Sequence, residues 1–342
     1  MPGVVGISNG QSSGERRYGL YPKGYCTGAD IRFESTTMNE PTLGASPQKR
    51  PRGIPTLGGK QLWTDFRWWH GLRLQQNQLT GHWRVLSQQN RRVASGDLRT
   101  CLLVFREHRA AIPANPTDRV VVLVHGLMRT SASLKRLGRY LATQGWPMVV
   151  DFRYASSRAT ITRHSAALRA VIQHLPGQPR LSFVGHSMGN IVIRHMIGDW
   201  QQTATGQNFL RRLNRIVMLA PPNQGAAIAR ALGYTGLFQL ITGPAGTQLG
   251  SGWPEIQSRL AIPPCPVAII AGSTTLGRWN PLVPAPSDLV VAVEETSLPN
   301  TKDRLIVPAI HSLIMENKQV QNATAQFLDG MPLPASGTPR AN

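Results

Sequence analysis

From residue 119 onward, short apolar runs alternate with longer segments whose apolar residues recur every three or four positions. Val120–Val124 is continuous and β-branched, as in a strand buried on both faces of a parallel sheet. Five more runs predict strands, at Pro147–Phe152, Leu181–Val184, Arg215–Leu219, Val267–Ala271 and Arg304–Val307. Helices are predicted between them at Ser131–Gln144, Ile161–Leu175 and Ile191–Trp200, with a closing helix ending near Leu328. This alternation predicts an α/β fold, with a mostly parallel sheet and helices on both faces.

Four stretches depart from this rhythm and set the predicted domain organisation. Residues 1–55 are rich in Gly, Ser, Pro and basic side chains and predict a disordered leader, and residues 331–342 predict a disordered tail. Residues 56–114 predict an N-terminal extension that packs on the core, and residues 115–330 the main α/β domain. Within that domain, residues 225–264 mix Gly and Pro with apolar segments and predict an inserted cap or lid.

The predicted extension contains an aromatic cluster and one helical stripe. The cluster allows two interpretations, a binding surface or burial against the main domain, and we expect burial because aromatic side chains dominate protein cores. Its members are Trp63, Phe66, Trp68, Trp69 and Trp83. The stripe of Leu98, Cys101, Leu102 and Phe105 has the spacing of one helix face.

The chain of 342 residues has a formal charge of +20, which raises the question of an anionic partner. The basic residues occur as scattered pairs, such as Arg91-Arg92 and Arg211-Arg212, and no basic run is interleaved with aromatic residues. We therefore expect a solvated basic surface and no nucleic-acid partner. Peripheral contact with an anionic membrane stays open.

The sequence predicts neither a membrane span nor a bound cofactor. No stretch approaches the roughly 18 apolar residues of a transmembrane helix, and residues 1–10 lack the pattern of a secretory signal. The localisation stays open between a cytoplasmic protein and one secreted from a different start. The three cysteines form no Cys-x-x-Cys pair, and no zinc motif or phosphate-binding Gly-rich loop is present, so we expect no metal and no nucleotide.

The segment Gly185-His186-Ser187-Met188-Gly189 matches the pattern Gly-x-Ser-x-Gly. It lies between a predicted strand and a predicted helix, where small residues on either side allow a sharp, strained turn that exposes the serine hydroxyl. The pattern alone is also found in ordinary turns. Its strand-turn-helix setting favours Ser187 as a nucleophile.

A second loop, His125-Gly126-Leu127, follows the strand Val120–Val124. In this architecture that loop supplies one donor to an oxyanion, and the residue after the nucleophile supplies the other. These donors are predicted to be the backbone N–H groups of Leu127 and Met188. The alternative is a plain connecting loop, and we expect His125 to be structural.

A serine nucleophile needs a base, and the base needs an orienting acid. His311 lies just past the last predicted strand, and in this fold the acid precedes the histidine along the chain. Asp288 is the favoured acid. Glu294, Glu295 and Asp303 are rivals, and Asp303 comes before the last strand, at the wrong end of the sheet.

Over about residues 115–328 the chain resembles the bacterial lipase/esterase branch of the α/β-hydrolase superfamily. The similarity is carried by Leu123–Leu127, the turn around Ser187, Leu219–Gly225, Gly243–Gly246 and Ser287–Val291 with His311-Ser312. Such relatives usually carry Asp-Gly in the acid loop, whereas here Leu289 follows Asp288.

The resemblance implies hydrolysis of a carboxylic ester or lipid through Ser187, His311 and Asp288, without metal or organic cofactor. Two alternatives remain. One is acyl transfer or thioester cleavage on the same triad, and the other is a non-catalytic binding module on the same scaffold.

Overall fold

The computed structural model describes residues 54–55, 60–225, 236–274, 282–283, 286–299, 301 and 303–334. The predicted leader lies outside this part of the chain except for residues 54–55, and the predicted tail except for residues 331–334. Residues 226–235 of the predicted cap also lie outside it. All described residues belong to one unit, residues 51–342.

Residues 54–96 contain five strands that form a small antiparallel sheet in the order β1-β5-β4-β3-β2. The strands are β1 (Ile54–Pro55), β2 (Trp63–Trp69), β3 (Leu72–Asn77), β4 (Trp83–Leu86) and β5 (Arg91–Gly96). Helix α1 (Leu98–Ala110) follows, and Asp97 caps it by accepting from the Thr100 N–H at 3.0 Å. Cys101 and Phe105 are buried, as their helical spacing predicts.

A six-stranded sheet forms the centre of the fold, in the order β11-β10-β9-β8-β6-β7. All five strand pairs are parallel, which places every carboxyl end at one edge. The strands are β6 (Arg119–Val124), β7 (Val149–Phe152), β8 (Arg180–His186), β9 (Leu213–Leu219), β10 (Val267–Ser273) and β11 (Asp303–Pro308). Each overlaps one of the six predicted strands, with ends that differ by at most two residues.

Helices cover both faces of this sheet, as the alternating pattern predicts. They are α2 (Lys135–Thr143), α3 (Ile161–Gln173), α4 (Met188–Gln201), α5 (Ala204–Leu210), α6 (Gly236–Leu249), α7 (Trp253–Gln257) and α8 (Lys318–Leu328). Leu168 of α3 and Ile191 of α4 belong to one buried apolar cluster, and Leu137 of α2 and Phe327 of α8 belong to another. Val120 and Val122 of β6 belong to the first cluster, and Val121 and Leu123 belong to the second. Since successive side chains of a strand point to opposite faces, the two clusters lie on opposite faces of the sheet.

The small sheet shares its core with the central sheet. Phe66, Trp68, Trp69 and Trp83 lie in the same buried cluster as the residues of α3 and α4, so four of the five aromatic residues are buried. Trp63 is half-buried. The Asp65 N–H donates to the Arg153 carbonyl at 2.8 Å, and the Ala155 N–H donates to the Thr64 hydroxyl at 3.1 Å. The two sheets are therefore joined by hydrogen bonds as well as by apolar packing.

An ion pair network lies at the junction of the two sheets. The Arg73 guanidinium is buried and bonds to the carboxylates of Asp65 and Asp151, and it also donates to the Asp151 carbonyl at 3.0 Å. Gln75 donates to the other oxygen of Asp65 at 2.7 Å. The sequence pattern predicts no strands here, because these buried polar side chains conceal the alternation that indicates a strand.

The described part of the predicted cap contains α6 and α7. Helix α6 is interrupted at Gly243, whose φ is 66°, and a Cβ at this position would lie 1.8 Å from the Ser157 carbonyl oxygen. Only glycine permits this approach. The Gln248 side chain accepts from the Ile161 N–H at 2.7 Å, so the segment packs against the start of α3. A lid function for it stays a prediction.

No helix in the described ranges is both long and apolar enough to cross a bilayer.

Candidate active site

Ser187 occupies the sharp turn between β8 and α4, at the carboxyl edge of the central sheet. Its φ of 52° and ψ of −126° are strained for a residue with a side chain. A Cβ at position 185 would lie 2.1 Å from the Asn190 side-chain oxygen, and one at position 189 would lie 2.2 Å from the Val124 carbonyl oxygen. The two glycines of the motif thus let the turn close against its surroundings, as the pattern predicts.

Asp288 and His311 are brought together in the loops after β10 and β11. The His311 Nδ1 lies 2.7 Å from Asp288 Oδ2, and the His311 N–H donates to the Asp288 carbonyl at 3.0 Å. The other carboxylate oxygen, Oδ1, accepts from the N–H groups of Val290 at 3.0 Å and Val291 at 2.8 Å. With 1% of its surface exposed, the Asp288 carboxylate is held on both oxygens and aimed at the imidazole.

The His311 loop is attached to the serine turn through His186, the residue before Ser187. The His186 ring lies 4.9 Å from the His311 ring, centroid to centroid, and its Nε2 donates to the His311 carbonyl at 3.0 Å. Arg129, in the loop after β6, donates to the neighbouring Ser312 carbonyl at 3.0 Å. Among the described residues His311 forms hydrogen bonds with Asp288 and His186. A bond between the His311 ring and the Ser187 hydroxyl stays a prediction.

His186 and Arg129 were given no role by the sequence analysis. The signal for His186 is its place inside the motif, immediately before the serine. Burial, and then the charge of His311, hold the pKa of His186 well below its usual value. Its ring is therefore neutral at physiological pH and can keep a proton on Nε2 for the His311 carbonyl.

The loop after β6 lies directly against the serine turn. A Cβ at Gly126 would approach the His186 Nδ1 to 3.0 Å and the Ser187 Cβ to 3.1 Å, so the backbone passes close to the nucleophile position. Met188 is the first residue of α4, and its N–H has no acceptor within the helix. Leu127 follows Gly126 in the loop, and no backbone acceptor for its N–H occurs among the described residues.

His125 is buried beneath this loop. Its ring stacks on Tyr154 with centroids 4.2 Å apart, and the Tyr154 hydroxyl donates to the His125 carbonyl. Burial lowers the pKa of His125 to about 4, so the ring is neutral at physiological pH. These contacts suit the structural role expected of His125.

The three rival acids lie elsewhere. Asp303 begins β11, at the opposite end of the strand from His311, and accepts from the Leu333 N–H at 3.2 Å. Glu294 is exposed. Glu295 is buried and accepts from the Ala292 N–H at 2.9 Å. The only acid that the structure brings to the His311 ring, among the described residues, is Asp288.

A second group of serine, histidine and aspartate lies between α3 and α4. Ser165 Oγ donates to Asp199 Oδ2 at 3.0 Å, and the His195 Nδ1 lies 3.2 Å from Ser165 Oγ and 3.4 Å from the same carboxylate oxygen. Both partners share one ring nitrogen, whereas a catalytic base needs the serine on one nitrogen and the acid on the other. Ser165 and His195 are fully buried, which indicates a tie between two helices.

A metal centre was not expected, and the described segments contain no group of three or more His, Cys, Asp or Glu side chains arranged to hold an ion.

Comparison with known proteins gives a family match and several structural neighbours. Residues 114–232 match the family described as "Putative serine esterase (DUF676)". No curated protein matches the chain at a significant level. The matched residues include the Gly126 loop and the turn at Ser187.

Among solved structures, the chain is similar to the lipase BlEst2 of Bacillus licheniformis. In the propeptide form of that lipase the identity is 17% and the TM-score 0.50, over 68% of this chain and 53% of the other. In its mature form the values are 16% and 0.48, over 63% and 93%. Phospholipase PlaB from Legionella pneumophila gives 17% and 0.46, over 61% and 57%.

The chain spans about half the length of the propeptide form that it matches. At these identities, structural similarity establishes the fold. Together with the parallel six-stranded sheet and the turn at Ser187, it shows that this chain has the α/β-hydrolase fold, of the kind found in bacterial lipases and esterases.

Proposed function

We propose that the protein is a serine hydrolase that cleaves carboxylic esters, including lipid esters, with Ser187 as nucleophile, His311 as base and Asp288 as orienting acid. The observation that carries the proposal is the bond of 2.7 Å between His311 Nδ1 and an Asp288 carboxylate already fixed by two backbone N–H groups. This arrangement holds the imidazole in one tautomer, with Nε2 as the proton acceptor.

In the first step, His311 Nε2 takes the hydroxyl proton of Ser187 as Oγ attacks the ester carbonyl carbon. The N–H groups of Leu127 and Met188 bind the resulting oxyanion. His311 then gives the proton to the alcohol oxygen as the ester bond breaks, which leaves an acyl-enzyme on Ser187.

In the second step, water replaces the alcohol. His311 removes a proton from the water as its oxygen attacks the acyl carbon, and returns that proton to Ser187 Oγ as the acid departs. Asp288 stabilises the imidazolium in both steps and keeps its own charge.

The strained backbone at Ser187 supports this assignment. A φ of 52° is costly by about 1–3 kcal/mol for a non-glycine residue, and such strain is concentrated at functional sites. The turn also places the Ser187 hydroxyl at the N-terminus of α4, where the helix dipole favours the negative charge that develops during attack.

Labelling by a fluorophosphonate probe, with wild type beside Ser187→Ala, tests the proposal. The probe phosphonylates an activated serine, so we expect labelling of the wild type and none of Ser187→Ala, with parallel loss of p-nitrophenyl ester hydrolysis. Ser165→Ala is the matched control, because Ser165 also lies beside a histidine and an aspartate.

Ser165→Ala should keep both labelling and hydrolysis. Labelling that survives in Ser187→Ala, or disappears in folded Ser165→Ala, would show that the nucleophile is another residue. Folded wild type that neither labels nor hydrolyses esters would favour a binding module. Product analysis with a competing alcohol separates hydrolysis from acyl transfer.

A further inference from the structure

A cavity of about 770 Å³ lies between the small sheet and the central sheet. Gln75, Arg84 and Leu86 line it from the small sheet, and Lys135 and Arg139 line it from α2. This volume is within the range of small-molecule sites. Its described lining residues include none of Ser187, Asp288 and His311, although it reaches His125 at the start of the loop after β6.

The lining is strongly cationic. One carboxylate faces five basic side chains, and these six residues are Asp151, Arg84, Arg91, Lys135, Arg139 and Arg153. The Asp151 carboxylate is already bound, by Arg73 on one oxygen and by Arg153 Nε at 3.1 Å on the other. Among the described lining residues, no carboxylate is paired with Arg84, Lys135 or Arg139.

Arg84 is the buried cation of this lining. Its side chain is only 8% exposed, its guanidinium lies 3.9 Å above the Trp63 ring, and its Nε donates to Gln75 at 2.9 Å. Among the described residues no carboxylate lies within 4.0 Å of the guanidinium, whereas Arg73 in the same network is paired with two carboxylates. A buried cation without a paired anion is energetically costly.

The nearby acid does not relieve this cost. Asp65 attracts Arg84 from a distance, but its carboxylate is held by Arg73 and Gln75. Burial, together with repulsion by Arg153 and Arg92, lowers the pKa of Arg84 to about 10, which still leaves it protonated at neutral pH. An anion in the cavity would compensate the buried charge.

We propose that this cavity binds the phosphate group of a small ligand, with Arg84 at its base and Lys135 and Arg139 at its rim. A phosphate carries up to two negative charges and several acceptor oxygens, which suits a set of convergent guanidinium and ammonium donors. Because Arg84 is buried, a terminal phosphate can reach it and the continuous backbone of a nucleic acid cannot. The proposal does not depend on the chemistry at Ser187.

Isothermal titration calorimetry of the full chain with inorganic phosphate, at constant ionic strength, tests the proposal. Two residues of α2 provide a matched pair. Arg139 lines the cavity, whereas Arg136, three residues earlier, points to Glu316 at 3.4 Å and is half exposed. Both Arg139→Gln and Arg136→Gln remove one charge from the same helix, so they differ only in their position relative to the cavity.

We expect saturable binding of phosphate that Arg139→Gln weakens about tenfold, the loss of one charge-assisted contact, and Arg136→Gln less than about twofold. Arg84→Gln should weaken binding at least as much as Arg139→Gln. If Arg84→Gln fails to fold, Lys135→Gln at the exposed rim replaces it. Ser187→Ala should bind phosphate as wild type does.

A second arm identifies the source of the phosphate group. Flotation with phosphatidylcholine vesicles that contain phosphatidic acid is compared with flotation using phosphatidylcholine alone. If Arg139→Gln loses binding to the phosphatidic acid vesicles and Arg136→Gln does not, the ligand is a lipid headgroup. If Arg139→Gln weakens only the binding of inorganic phosphate, the ligand is a soluble phosphate compound. Equal effects of Arg139→Gln and Arg136→Gln in both arms, or no binding in either, would overturn the proposal.

Discussion

His186 donates a hydrogen bond from Nε2 to the main-chain carbonyl of His311 at 3.0 Å. The residue before the candidate nucleophile therefore holds the backbone of the candidate base. Burial keeps the pKa of His186 well below its usual value, and a neutral ring with its proton on Nε2 is enough to make this bond. The serine turn and the histidine loop are thus fixed to each other independently of the catalytic proton.

Replacing Asp288 with asparagine should abolish most of the ester hydrolysis. Asparagine preserves the size of the side chain, but it cannot hold the His311 tautomer or stabilise its cation, and we expect kcat to fall by about 10³- to 10⁴-fold. KM for a p-nitrophenyl ester should change little, because Asp288 is not expected to touch the substrate. Steady-state kinetics measure both constants.

Asp303→Asn is the control for this loss, because Asp303 begins β11 at the end of the strand away from His311. Its kcat should stay within about twofold of wild type, since no acid acts on the imidazole from there. Comparable losses in the two variants would reject Asp288 as the orienting acid.

Leu289→Gly should leave stability unchanged or raise it. Leu289 has a φ of 84°, a region that favours glycine, and its side chain is half-buried. Relief of strain, worth about 1–3 kcal/mol, would offset the lost apolar contact and the greater chain entropy of glycine. Val290→Gly, at the next position, relieves no such strain and should destabilise by about 1 kcal/mol. Urea unfolding measures both, and a larger loss in Leu289→Gly than in Val290→Gly would contradict the expectation.

Stability should fall as the pH decreases from 7.5 to 5. Burial lowers the pKa of His125 to about 4 and that of His164 to about 3. Near pH 5 the unfolded chain binds a proton on each ring, with a pKa of about 6.5, whereas the native state does not, so protonation favours unfolding. Each ring should lower the free energy of unfolding by about 2 kcal/mol between pH 7.5 and pH 5. Denaturant unfolding at the two pH values measures this difference.

His164→Gln should remove about 2 kcal/mol of this pH dependence, because glutamine does not titrate and its amide can replace the imidazole near Ser156. His82→Gln, at an exposed position, is the control and should leave the dependence intact. Equal unfolding free energies of the wild type at pH 7.5 and pH 5 would show that the buried rings are not neutral.

The central sheet was predictable because each of its strands is an apolar, β-branched run that needs no partner to be recognised. The serine turn was predictable for a related reason, since a steric requirement at Ser187 is met by glycines at fixed spacing. The choice of Asp288 over Glu294 and Glu295 was harder. It depends on a loop in which two backbone N–H groups converge on one oxygen, and spacing along the chain does not reveal that convergence.

The small sheet was missed for a different reason. Its strands bury Asp65, Arg73 and Gln75, and a pattern search treats buried charges as exposed positions. Their burial is tolerable only because Asp151 from β7 completes the network. Sequence periodicity records what each residue prefers alone, and therefore could not indicate a strand whose burial depends on a partner about 80 positions away.

The shared ion network has a consequence for where the protein can be divided. The family match begins at residue 114, but a chain shortened to that point would lose Arg73 and the tryptophans that cover α3. Asp151 would keep its charge without its buried counter-ion, and an apolar helix face would meet water. The segment that matches the family model, residues 114–232, is thus shorter than the segment that has to fold as one unit, which includes the small sheet.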